Sequence, residues 1–179
     1  MGMDGIDIVL RCESDFGIDI PDADVRVITT PAALSDYIAD RVAAVPPATC
    51  TSQRVFNRIR QGLRTQVPAL FPDIRLDTVI GDAIHKDQWP RLWKAIRDAV
   101  GDPSWPETIP WPTLLRAGPK TVRDLVWQVA IAVAVAGRVP QRPWTKDEVG
   151  LHVRLIIHEE AGLGLGFDAQ ATFSKLGMN

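Results

Sequence analysis

Among the side chains able to do acid, base or nucleophilic chemistry, the three histidines come first: His85, His152 and His158. Histidine titrates near neutrality, which suits it to proton transfer or metal ligation. None of the three stands in a recognisable motif with a second group, and His152 and His158, six residues apart, do not share a helix face. They read as surface or half-buried histidines, so no catalytic residue and no metal site is assigned. The two cysteines, Cys12 and Cys50, lack metal-type spacing and fit unpaired thiols in a reducing cytoplasm. Gly162-Leu163-Gly164-Leu165-Gly166 follows a helical pattern instead of a strand, which makes it a helix end and flexible loop, not a dinucleotide turn. Arg54, Arg58, Arg60 and Arg64 could meet phosphates. They fall on more than one helix face, however, and the chain's net charge is −2, against a nucleic-acid binder.

The elements that must position these groups are helical. At 179 residues, with 46% hydrophobic and 23% charged residues, the chain is long and apolar enough for one domain or two small ones. Sustained alternation and hairpin signals are missing, whereas helical spacing recurs. Ile6, Val9, Leu10 and Phe16 mark the apolar side of a first helix over 4–16. Thr30 caps a second, with Pro31 at its first position and Leu34, Tyr37 and Ile38 following. The segment Val45-Pro46-Pro47-Ala48-Thr49 reads as a linker. Val55, Ile59, Leu63 and Val67 then share one face, and Trp89, Leu92, Trp93 and Ile96 another, ended by Gly101. Residues 102–119 are proline-rich, with one short turn expected. Thr121 with Asp124, and Thr145 with Glu148, are cap pairs opening two further helices. The stretch from Leu125 to Ala136 is too short to span a bilayer and reads as a buried helix. Trp105 and Trp111 are expected to act as packing lids. The first ten residues, with Asp4 and Asp7 and no basic run, do not read as a secretory leader.

Two segments carry a family pattern. The run Glu13-Ser14-Asp15-Phe16-Gly17-Ile18-Asp19-Ile20-Pro21-Asp22, followed by Ile28-Thr29-Thr30-Pro31, Leu34 and Tyr37-Ile38, resembles the second half of an acyl carrier protein. Val149, Val153, Ile156-Ile157 and Glu160, then Gly162-Leu163 and Phe173-(x)2-Leu176-Gly177, resemble that family's first helix and the approach to its second. Gly177-Met178-Asn179 nearly repeats Gly2-Met3-Asp4. Laid end to start, the termini make one family-like unit, as in a circular permutation, a split by insertion, or an exchange between copies. The resemblance implies an all-α protein of acyl-carrier-like four-helix bundles, two in tandem. One is built from 1–45 plus 145–179; the other, more diverged, spans 52–136.

In that family a serine at the start of the second helix carries the phosphopantetheine arm. Here Gly5 stands in the motif, or Gly2 when the register is counted back from Phe16, and glycine has no hydroxyl to modify. The second unit offers Gly81-Asp82-Ala83-Ile84-His85, again without serine. The expectation is a non-enzymatic carrier-like protein with no cofactor. Residues 1–40 hold nine acids against two bases, while 41–144 hold fifteen bases against eight acids. Asp4, Asp7, Glu13 and Asp15 are therefore the candidate partner-binding residues, facing a protein with a basic patch, the chain's own basic middle region or an exchanged copy. Nucleic acid and membrane are not expected partners. The alternative is an accessory protein of lipid or acyl metabolism that binds an acyl chain noncovalently.

Overall fold

The computed structural model describes residues 3–69, 73–81, 84–111 and 119–178. Among these the chain forms seven α-helices and no strand: α1 Met3–Phe16, α2 Asp22–Val25, α3 Pro31–Arg41, α4 Thr51–Gln66, α5 Trp89–Val100, α6 Val122–Ala136 and α7 Lys146–Ala161. No helix among them is long and apolar enough to cross a membrane. The chain divides into two compact units, unit 1 of Met1–Ala48 with Arg138–Asn179 and unit 2 of Thr49–Gly137. Both divisions fall beside proline-containing stretches, Pro46-Pro47 and Pro140 to Pro143.

In unit 1, α7 packs against both α1 and α3. Thr145 starts it with a reciprocal cap, its hydroxyl accepting from the Glu148 N–H while the Glu148 carboxylate accepts from the Thr145 N–H. Such caps satisfy N–H groups that the first helical turn leaves without partners. Gly162, at φ 67°, ends the helix in the left-handed region, where a side chain would be strained. Val149, Val153, Ile156 and Ile157 then join Ile8, Cys12, Phe16, Ile20, Ile28, Leu34, Ile38, Phe173 and Met178 in one core. Each large apolar side chain so buried contributes about 1.5–3 kcal/mol.

The chain leaves and re-enters unit 1 at adjoining points. After α3, Ala43 takes φ 49°, and the next N–H, of Ala44, donates to the Ala39 carbonyl at 2.8 Å. That turn delivers Val45 alongside Thr145: the Val45 N–H donates to the Trp144 carbonyl at 2.8 Å, and the Lys146 N–H to the Val45 carbonyl at 3.0 Å.

In unit 2, α4 packs against α5 and α6. Val55, Ile59 and Leu63 are buried on α4, with Gly62 between them. A Cβ on Gly62 would stand 2.9 Å from Ile96, so the missing side chain is what lets α4 and α5 approach so closely. The α5 face of Trp89, Leu92, Trp93 and Ile96 is buried as its spacing predicts. Trp105 stacks on Trp93 with ring centres 5.7 Å apart, and Trp111 meets Trp89 edge-on at 5.7 Å, so both are lids. The indole N–H groups of Trp89 and Trp93 donate to the carbonyls of Ile109 and Pro106 at 2.7 and 3.0 Å. Among the described residues unit 2 shows three helices, and the turn expected within 102–119 falls partly on residues 112–118, outside the described residues.

The first helix is rotated from its expected orientation. Ile6 and Leu10 were placed on its apolar side, yet they are 54% and 57% exposed. The buried side is Gly5, Ile8, Cys12 and Phe16. Cys12 is a small apolar residue when buried, and Ile8, Cys12 and Phe16 recur at helical spacing as well as the predicted set does.

Candidate functional site

The candidate residues converge on α1, whose two sides differ in kind. On the open side Asp7 is exposed, flanked by the exposed Ile6 and, one turn on, Leu10. On the inner side Gly5 lines a small apolar cavity of about 10 Å3 together with Ile8, Val9, Val25, Ile28, Leu34 and Phe173. That is room for a single water-sized sphere. Gly5 therefore lacks a hydroxyl and is also buried. Gly2 and the Asp4 side chain lie outside the described residues, as do Asp82 and Ala83 of the second glycine motif.

The other two candidate acids are engaged within unit 1. The Glu13 carboxylate accepts from the Ile20 N–H at 2.7 Å and so fixes the turn after α1. Asp15 accepts from Arg11 at 3.1 Å and meets His152 Nε2 at 2.9 Å. Burial pushes the Asp15 carboxyl up, but the hydrogen bonds from His152 and Arg11 outweigh it, and the group sits below the ordinary carboxylate range. Arg11 also lies 3.8 Å from Glu159 and 3.6 Å from Glu160 on α7. The His152 ring packs between Phe16 and Trp144, at 5.2 and 5.6 Å between ring centres. This cluster clasps α1 to α7 across 137 positions of sequence. Cys12, one turn away on the buried side, has its thiol pushed up to about 12 by burial, which leaves it unreactive at neutral pH.

The remaining histidines do separate work. His158 Nδ1 donates to the Leu163 carbonyl just past the end of α7. His85 is exposed beside Asp87 at 3.2 Å. Of the four arginines on α4, Arg60 lies over the Phe56 ring at 5.4 Å, while Arg54, Arg58 and Arg64 are exposed.

Sequence reasoning missed Arg154. It is 8% exposed, donates to the carbonyls of Leu165 and Phe167 at 2.7 and 2.8 Å, and stacks on the Phe167 ring at 4.3 Å. Burial lowers its pKa to about 10, still far above neutrality, so the guanidinium stays charged. The glycine-rich loop is thus pinned by a buried cation. One signal was available: Arg154 falls between Val153 and Ile156-Ile157, on the face that periodicity assigns to the core.

The cluster at the α1–α7 seam can hold two helices in register, and the open side of α1 can present an apolar pair with one acid to another surface. Comparison with protein-family models, with curated proteins and with solved structures finds no match.

Proposed function

We propose that unit 1 is an acyl-carrier-like four-helix unit that has given up its covalent arm and works, in a reducing cytoplasm, as a protein-docking module. The observation that carries this reading is the open side of α1, where Ile6 and Leu10 flank an exposed acid. Two large apolar side chains left in water one turn apart favour a contact that covers them, and Asp7 gives that contact a charge preference. Unit 1 carries fourteen acids against eight bases, a net −6, so a partner with a basic patch is favoured. Read from α7 through the chain end into α1, α2 and α3, the helices run 16, 14, 4 and 11 residues, in the order the carrier resemblance implies. Unit 2, with three described helices, is the more diverged copy in this reading. Cys12 and Cys50, not joined in a disulfide, suit the compartment.

The test is photo-crosslinking in cells, with a photoreactive residue in place of Leu10. One dominant protein adduct is expected, reduced about tenfold by Asp7→Arg without a change in melting, as loss of a charge contact predicts. An adduct indifferent to both Asp7→Arg and Ile6→Ser would remove the reading. Incubation with coenzyme A and a promiscuous pantetheinyl transferase should leave the mass unchanged.

The second reading, noncovalent binding of an acyl chain, is favoured by the apolar cavity beneath Gly5. Its volume of about 10 Å3 admits no chain in this state, so binding requires α1 and α2 to part. A saturable rise in melting temperature with a fatty-acyl ligand would favour it over docking alone.

A further inference from the structure

Unit 2 holds a second, larger cavity. It opens between α4 and α6, has a volume of about 250 Å3, and is lined by Ser52, Gln53, Phe56, Leu76, Arg123, Val126 and Trp127. The framework around it is hydrogen-bonded. The Arg123 N–H donates to the Leu76 carbonyl at 2.8 Å and the Val122 N–H to the Thr78 carbonyl at 2.9 Å, while the Ile80 N–H donates to the Lys120 carbonyl at 3.0 Å. These bonds hold the segment 76–80 against the start of α6 and seat Leu76 in the wall. Arg123, Val126 and Trp127 stand three and four apart on α6, hence on one side of it, as Ser52 and Phe56 do on α4. Val126 is buried, whereas Phe56, Leu76 and Trp127 are half-buried, with apolar surface left for an occupant.

Among the described residues the lining has one sign of charge: Arg123 is its single ionised side chain there and makes no ion pair. The neighbouring carboxylate, Asp124, is engaged by the N–H groups of Lys120 and Thr121 at 3.2 and 3.0 Å in the cap of α6. At roughly 30 Å3 for a water-sized group, the space takes about eight non-hydrogen atoms. That is small beside the roughly 300–1,000 Å3 of ordinary ligand pockets, so the occupant is compact. A lone guanidinium matches one carboxylate through two parallel hydrogen bonds, whereas a phosphate ester would bring more charge than one arginine balances.

We propose that unit 2 binds a compact amphipathic carboxylate, its apolar body against Phe56, Val126 and Trp127 and its carboxylate paired with Arg123. The site stands apart from the docking face on α1 and does not depend on it. An aliphatic and an aromatic acid would share this chemistry, and the two are separated by the choice of probe.

The full 15N-labelled chain is titrated with hexanoate and with benzoate, and the six indole N–H resonances are followed. The Trp127 resonance, assigned through Trp127→Phe, is expected to shift saturably with at least one acid, and the better acid identifies the body. The corresponding alcohols, 1-hexanol and benzyl alcohol, should bind about tenfold more weakly, and Arg123→Gln should weaken the acid by about the same factor while leaving the alcohol unaffected. Arg123 is exposed, so the variant keeps its fold, which the unchanged dispersion of the other indole signals verifies. A Trp127 resonance that stays fixed to millimolar acid overturns the proposal. So does equal binding of acid and alcohol that is insensitive to Arg123→Gln.

Discussion

Each unit is organised on a sixteen-residue helix, α7 in unit 1 and α4 in unit 2, and the two are fastened by different means. Around α7 the apolar core is supplemented by directed polar contacts: Asp15 with His152, Arg154 with two loop carbonyls, and Glu148 with both Arg142 and its own cap. Around α4 the supplement is aromatic. Four rings follow one another from Trp111 through Trp89 and Trp93 to Trp105 at 5.7, 6.0 and 5.7 Å. Ring stacking is broad and tolerant of small displacements, while charge-assisted hydrogen bonds demand a fixed geometry. Unit 1 assembles from segments distant in sequence, where polar contacts specify which surfaces meet. Unit 2 is continuous, and hydrophobic area suffices.

The largest break in this comparison comes from the tryptophan row. Trp93→Ala should destabilise unit 2 by about 3–5 kcal/mol, the usual cost of truncating a buried aromatic to alanine. It also leaves the Pro106 carbonyl without its donor. The protection of α4 and α5 amides from exchange should collapse while alkylation of the buried Cys12 stays slow. If Cys12 became reactive at the same rate, the units would be one cooperative block and the contrast would fail.

Arg154→Met is the matching cut in unit 1. It keeps most of the volume but removes a charged donor from two carbonyls, which should cost about 1.5–3 kcal/mol. Proteolysis within 162–167 should accelerate with unit 2 exchange unaltered. An unchanged cleavage rate would mean that the loop is held by Phe167 packing alone.

The smallest effect belongs to Asp15→Asn, under about 1 kcal/mol at neutral pH for so peripheral a pair. Its value lies in the sign. The folded-state pKa of Asp15 lies below its unfolded value, so its contribution is full above the unfolded pKa and is lost as pH falls through the folded one. The parent should therefore lose part of its margin over Asp15→Asn on acidification below about pH 4, where free aspartate titrates. A margin constant with pH would show that the Asp15–His152 contact contributes no linkage.

What could be read from residues alone follows from how local the cause is. The caps at Thr30, Thr121 and Thr145 are written within four positions, and all three accept the predicted N–H group. The α5 face was legible because two tryptophans and an isoleucine at helical spacing admit one orientation. The α1 face was not. Ile6, Leu10, Ile8 and Val9 distribute apolar groups around the helix, so the outcome turns on Gly5 and Cys12, small residues that let neighbours approach. The Asp15–His152 pair and the Arg154 anchor join residues far apart or a side chain to backbone carbonyls, and neither leaves a short-range pattern. Asp7 was legible as an acid on α1, but the engagement of Glu13 and Asp15 within the unit depends on partners that only folding supplies.

The position of α7 in the chain has a consequence for synthesis. About a hundred residues separate Arg41 from Lys146, so at ribosomal rates of roughly 5–20 residues per second α1 and α3 wait some five to twenty seconds for the helix they pack against. Unit 2 emerges whole in that interval and can close first. Meanwhile Ile8, Phe16, Leu34 and Ile38 lack the α7 side chains that complete their core, which favours chaperone binding to the nascent chain before α7 appears.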